Sequence, residues 1–165
     1  MKSINVFLVL LATNIFGGSM LVSAQKKGPD DIKRIVESQN YIFKANRVNP
    51  HGSISRELTS DYDLTVTRDT IISYLPYFGR AYVAPINVTD GGIKFTSAKF
   101  EYKQSKSGKG WEIAIRPRDA SDVQQLNLDI FDNGVATLRV ISTNRQSISF
   151  NGYIEEKEIK GKKAF

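Results

Sequence analysis

The chain has 165 residues, 41% of them hydrophobic and 24% charged, with 23 Lys and Arg against 17 Asp and Glu for a formal net charge of +6. It contains no cysteine and one histidine, which excludes disulfide bracing, thiol nucleophiles, lipid attachment through an N-terminal cysteine, and the usual zinc or non-haem iron sites built from several His or Cys ligands. Much of the basic excess falls in loop-like and terminal positions, Lys106, Lys109, Lys157, Lys160, Lys162 and Lys163, so it reads as a solvated basic surface with no nucleic-acid partner.

Residues 1–24 carry one charge at Lys2, an apolar run from Ile4 to about Ile15, and small residues ending in Val22-Ser23-Ala24. This is the layout of a cleaved secretory signal peptide, too short in its apolar part to span a bilayer afterwards. The expected product is periplasmic or secreted, with no stable membrane span. The residues that remain are enough for one domain that buries roughly two-thirds of its unfolded surface without a metal or crosslink.

Residues 25–39 form a lead-in and a short helix. Ile32, Ile35 and Val36 share a helical face, and Asp30 and Asp31 stand at the positive end of the helix dipole. From residue 40 the period changes to two. Tyr41, Phe43 and Ala45 alternate with Ile42, Lys44 and Asn46 before the turn residues Asn49 to Gly52. Tyr62, Leu64 and Val66 form a second strand, and Thr70 to Leu75 a third after the Arg68-Asp69 turn.

The next stretch, Ser73 to Pro85 (SYLPYFGRAYVAP), is the most unusual in the chain. Pro76 has no N–H for a sheet, so an extended run ends at Leu75 and the backbone turns, with Tyr74, Tyr77, Phe78 and Tyr82 crowded around Gly79 and Arg80. Rings at such a bend either plug a β core or wall a recess, and Arg80 is available to an anion or a ring.

Beyond it, Asp90-Gly91-Gly92 marks a turn. Ile93 and Phe95, then Phe100 and Tyr102, then Trp111, Ile113 and Ile115 follow as strands, with the loop SKSGKG before Trp111. After Pro117, Leu126, Leu128 and Ile130 lead through Asp132-Asn133-Gly134 to Ala136, Leu138 and Val140. The Asn-Gly pair predicts a tight hairpin whose two central residues both have positive φ. Ser147 to Glu155 supplies the last strand, with Gly152 at a bulge or bend. The pattern predicts an all-β fold: a lipocalin-like up-and-down antiparallel barrel, or closely packed sheets, of eight or nine strands over residues 40–156. One short helix precedes it and a basic tail, residues 157–165, follows.

On the residues SYLPYFGRAY, GIKF (Gly92 to Phe95) and STNRQSISFNGYI (Ser142 to Ile154), the mature chain resembles a family of small exported proteins of Bacteroides-type bacteria, the domain of unknown function 4251. The resemblance implies a lipocalin-sized β-barrel behind an export sequence. It implies no chemistry, because no catalytic residue of the family is there to carry over. Unlike the lipoprotein-type members, this chain lacks the anchoring cysteine.

The candidate catalytic groups are thin. His51 stands alone between Pro50 and Gly52; Asp61 and Asp63 share the solvated face of one strand; Glu101 and Glu112 have Lys103 and Arg116 nearby. A non-enzymatic binding role is therefore expected, with no cofactor and no metal. The expected ligand site is Tyr74, Tyr77, Phe78, Arg80, Tyr82 and Arg145, the two arginines at one rim of the barrel. Its partner is a small amphiphilic or anionic molecule, or else an envelope protein docking on the same rings.

Overall fold

The computed structural model describes residues 28–82, 91–108 and 110–158. The expected signal peptide and all but the start of the basic tail lie outside the described residues. Within them the chain forms one helix, α1 (Pro29–Ser38), and nine strands: β1 (Tyr41–Pro50), β2 (Arg56–Val66), β3 (Ile71–Leu75), β4 (Ile93–Ser97), β5 (Phe100–Ser107), β6 (Gly110–Pro117), β7 (Val123–Phe131), β8 (Val135–Ser142) and β9 (Ile148–Glu156).

All nine strands lie in one sheet ordered β4-β3-β2-β1-β9-β8-β7-β6-β5, antiparallel throughout. Following the alternation of direction around this sheet, β4 and β5 run the same way, with only Ala98 and Lys99 between them. They are two halves of one bent strand. The first half pairs with β3 and the second with β6, which brings the sheet round into a nearly closed, barrel-like body.

Asp119 fixes the bend. Its carboxylate accepts from the Ala98 N–H at 3.0 Å, the Lys99 N–H at 3.2 Å and the Ser97 hydroxyl, while the Arg118 N–H donates to the Lys99 carbonyl at 2.7 Å. Two N–H groups that leave the ladder at the corner are satisfied by one side chain, which offsets the cost of interrupting the strand.

The interior is packed with side chains. Tyr41, Phe43, Phe150, Leu64, Leu126 and Leu128 are among the largest fully buried residues, and they alternate with outward positions along their strands. Gly152 makes room for one of them. A Cβ there would lie 1.9 Å from the Lys44 carbonyl oxygen and 3.0 Å from the Phe43 ring, beside the β1 bulge between Ala45 and Arg47. Tyr41 donates to or accepts from Tyr102 at 3.2 Å between hydroxyls, and burial pushes its phenol well above the ordinary value.

The helix seals one end. Asp31 accepts from the Gly28 N–H at 3.2 Å, and Gln39 turns left-handed at φ 51°, its N–H closing on Val36. Ile32, Ile35 and Val36 are buried to 1% exposure or less. Arg34 grips Glu156 at 2.8 and 3.1 Å, and Arg68 donates to the Ser38 carbonyl at 3.1 Å. A Cβ on Gly134 would meet Ile32 at 3.1 Å, so the β7–β8 hairpin lies directly against the helix.

That hairpin differs from the predicted turn. Gly134 has φ +84°, but Asn133 does not share a positive φ, and the Gly134 N–H bonds to the Phe131 carbonyl at 2.9 Å. The connection is a three-residue loop with one left-handed glycine instead of a two-residue turn with two left-handed residues. Asp132 takes part in the loop, which leaves only the glycine needing the left-handed region. The SKSGKG stretch also differs: β5 extends to Ser107, with Lys106 opposite Trp111, so only two residues separate β5 from β6.

Candidate functional site

The end opposite the helix is formed by the β1–β2 connection, the stretch after β3, the β6–β7 connection and the β8–β9 connection. Pro76 is buried and ends β3. The chain then folds the Tyr77 ring back beneath Gly79, where a Cβ would sit 2.5 Å from the phenol oxygen, so only glycine leaves space. That oxygen lies 2.8 Å from the Arg80 carbonyl and 2.9 Å from the Gln146 carbonyl, either of which can accept its one proton. Burial pushes the phenol up, against an opposing pull from the Arg145 charge.

Residues 80–82 lie along the β8–β9 connection as a short pairing. The Gln146 N–H donates to the Arg80 carbonyl at 3.0 Å, the Tyr82 N–H donates to the Asn144 carbonyl at 2.8 Å, and Ala81 bridges Arg145. Arg145 is the clasp of this end. Its Nε meets Asp122 at 2.8 Å, its Nη1 donates to the Gly92 carbonyl at 3.0 Å, and its guanidinium lies 5.2 Å from the Tyr77 ring centre. With side-chain exposures of 16% and 29%, the Arg145–Asp122 pair is only partly screened by water. Together with Asp119 it ties both ends of β4 to the β6–β7 connection, where the backbone ladder is missing.

The predicted site residues thus divide. Tyr77 and Arg145 brace the end of the barrel from within. Tyr74, on β3, stacks on Tyr62 at 5.7 Å between ring centres and has the Lys94 ammonium 5.0 Å from its ring centre. Phe78 and Tyr82 remain 42% and 65% exposed, with Arg80 exposed between them. Two residues that the sequence reading did not single out complete the rim. Arg56 lies 5.4 Å from the Phe78 ring centre, and Ile54, in the same connection, is 82% exposed. Among the described residues neither Arg56 nor Arg80 makes an ion pair. Ile54 was legible only as an apolar residue inside a turn-rich stretch, and nothing in the sequence places Arg56 beside Phe78, 22 positions away.

Between β4 and the β6–β7 connection lies a recess of about 210 Å³ lined by Lys94, Phe95, Ser121, Asp122 and Arg145 among others. This is below the roughly 300–1,000 Å³ of a usual small-molecule pocket. His51 borders a polar groove of about 500 Å³ with Arg139, Ser147 and Ser149. Two of the candidate carboxylates are in ion pairs, Asp63 with Lys44 at 3.0 Å and Glu101 with Arg118, while Glu112 faces Asp129 and, after burial, helps raise the Asp129 carboxyl. Glu101 and Glu112 do not face each other: register sets Arg116 opposite Glu101, in keeping with cross-strand charge pairing, and Ser105 opposite Glu112. Among the described residues no group of three or more His, Cys, Asp or Glu is placed to hold a metal ion, and no helix is long and apolar enough to cross a membrane.

Among curated proteins no relative matches this chain. A crystal structure of a DUF4251 family protein from Bacteroides eggerthii DSM 20697 is similar in fold, with a TM-score of 0.55 at 17% identity, covering 78% of this chain and 87% of the other. Residues 24–154 match the profile of the family described as a domain of unknown function, DUF4251. The chain belongs to the DUF4251 family, as the aromatic bend and the last strand suggested.

Proposed function

We propose that this protein is an exported, non-enzymatic binding protein that engages anionic amphiphiles through the rim opposite the helix. The observation that carries the reading is the company kept there by two arginines. Arg56 stacks on exposed Phe78, Arg80 stands between Phe78 and Tyr82, and neither has a carboxylate partner among the described residues. A cation beside an exposed ring offers charge and apolar contact to the same molecule, which suits an amphiphilic anion better than a simple salt or a hydrocarbon. The non-enzymatic part rests on residue supply: one turn histidine, and two of the candidate carboxylates, Asp63 and Glu101, engaged in ion pairs.

Titration calorimetry with a short-chain anionic detergent, held below its micelle concentration, tests the reading. Saturable heat that falls in Arg80→Gln and in Phe78→Ala, with unchanged melting temperature, is the expected result. Equal heat in the variants, or none in the wild type, would remove the rim as the site.

A second reading, an envelope protein-interaction module, draws on a different surface. Phe131, Val135 and Tyr153 are 51%, 47% and 43% exposed near the helix end, with Val135 directly opposite Tyr153 in register. Tyr153→Ser with Val135→Thr would abolish capture of a partner from envelope extract on this reading and leave detergent binding untouched.

A further inference from the structure

We infer that the occupant of the rim is the anionic face of a lipid bilayer, met by the protein end-on and without insertion of a strand or helix. The inference rests on the amphiphile reading above and narrows it by shape. A small ligand needs a concave site that covers most of its surface. The interior here is filled by core side chains, the adjoining recess is about 210 Å³ with its Arg145 and Asp122 bound to each other, and the larger groove beside His51 contains none of the rim rings.

The exposed apolar groups instead come from separate connections at one end of the barrel. Ile54 stands in the β1–β2 connection, and Phe78 and Tyr82 in the stretch after β3. Side chains carried outward on separate loops cover only part of a single small molecule. A packed lipid surface yields around each of them, and aromatic rings with arginines beside them are suited to its headgroup layer. Charge selects the kind of surface. Arg56 and Arg80 lack ion-pair partners among the described residues, so a leaflet carrying phosphate diesters without a compensating amine is favoured over a zwitterionic one.

The test is co-sedimentation of the mature protein with vesicles of phosphatidylcholine alone and of phosphatidylcholine mixed with phosphatidylglycerol. Binding is expected only to the mixed vesicles, weakening as salt rises. Arg56→Gln and Arg80→Gln are each expected to weaken it by about fivefold, and Phe78→Ala with Tyr82→Ala to weaken it further, all with the wild-type melting temperature. Equal binding to both vesicle types overturns the inference. So does binding that survives the rim variants but disappears when Lys160, Lys162 and Lys163 are changed to Gln, since the tail would then be the contact. If the short-chain detergent binds and vesicles do not, the bilayer inference fails while the amphiphile reading stands. If neither binds, both fail, as they would if the rim were an envelope-protein contact.

Discussion

At the helix end of the barrel, Ile32, Ile35 and Val36 are covered almost completely, and the elements around them are joined by backbone ladders and by Arg34 on Glu156. At the other end, Phe78 and Tyr82 stay in water, and the elements are held by single side chains: Asp119 on the strand bend, Arg145 on Asp122 and Gly92, Tyr77 on two carbonyls. One end is closed by burial and the other by polar clasps around a bent strand. The difference teaches where change is tolerated. Apolar burial is stabilising in proportion to area, whereas a clasp matters through the polar groups that its loss leaves unsatisfied.

The sharpest way to break this contrast is at the covered side. Ile35→Ala leaves a cavity beneath the helix and is expected to cost about 2–5 kcal/mol in urea unfolding. Gly152→Ala, whose new methyl meets the Lys44 carbonyl at 1.9 Å, is expected to be of similar severity, since β1 and β9 must separate to admit it. A mild effect of Ile35→Ala would mean that the helix does not seal the core.

Arg145→Ala comes next. It strands Asp122 in a partly buried position, frees the Gly92 carbonyl and uncovers Tyr77, for an expected loss of about 1–3 kcal/mol in the same assay. Hydrogen exchange is expected to accelerate in β4 and in residues 80–82 before it does in β1 or β9. Uniform acceleration would count against a local clasp.

Asp119→Asn gives a smaller, pH-dependent effect. The Ser97 hydroxyl, with the Ala98 and Lys99 N–H groups, holds the Asp119 carboxyl below its ordinary value of 3.8, so folding favours the ionised form. The stability contributed this way is complete above 3.8 and is lost as pH falls through the lower folded-state value. Melting curves of wild type and Asp119→Asn are therefore expected to differ at neutral pH and to converge in strong acid. A gap that persists there would assign the effect to the altered geometry of the amide.

The smallest effect on stability belongs to the rim. Phe78→Ala and Tyr82→Ala are expected to change it by less than about 0.5 kcal/mol, because exposed rings have little burial to lose. A larger loss for Phe78→Ala would move that ring from the open surface into the core.

Much of the fold was legible along the chain. The period change after Asn40 separates helix from strands, the inward positions Tyr41, Phe43, Leu64, Leu126, Leu138 and Phe150 are buried as their alternation indicates, and Pro76 ends β3. The site was legible in part. Tyr77, Phe78, Arg80, Tyr82 and Arg145 do gather at one end, but sequence proximity did not separate the bracing residues Tyr77 and Arg145 from the exposed Phe78 and Tyr82, and it did not supply Arg56 or Asp119. Those two act on residues 22 and 20–22 positions away, across strands whose register no local pattern specifies.

What the sequence determined by itself is therefore what depends on neighbours in the chain: strand faces, the proline stop, the helix with its acidic first turn, and the absence of thiol chemistry. Only the tertiary structure decided that β4 and β5 are one bent strand, that a glycine beside a bulge admits Phe43, and that Arg145 is a clasp while Arg56 stands by Phe78. Burial and pairing depend on which strands meet, and that is settled by packing the whole sheet around one core.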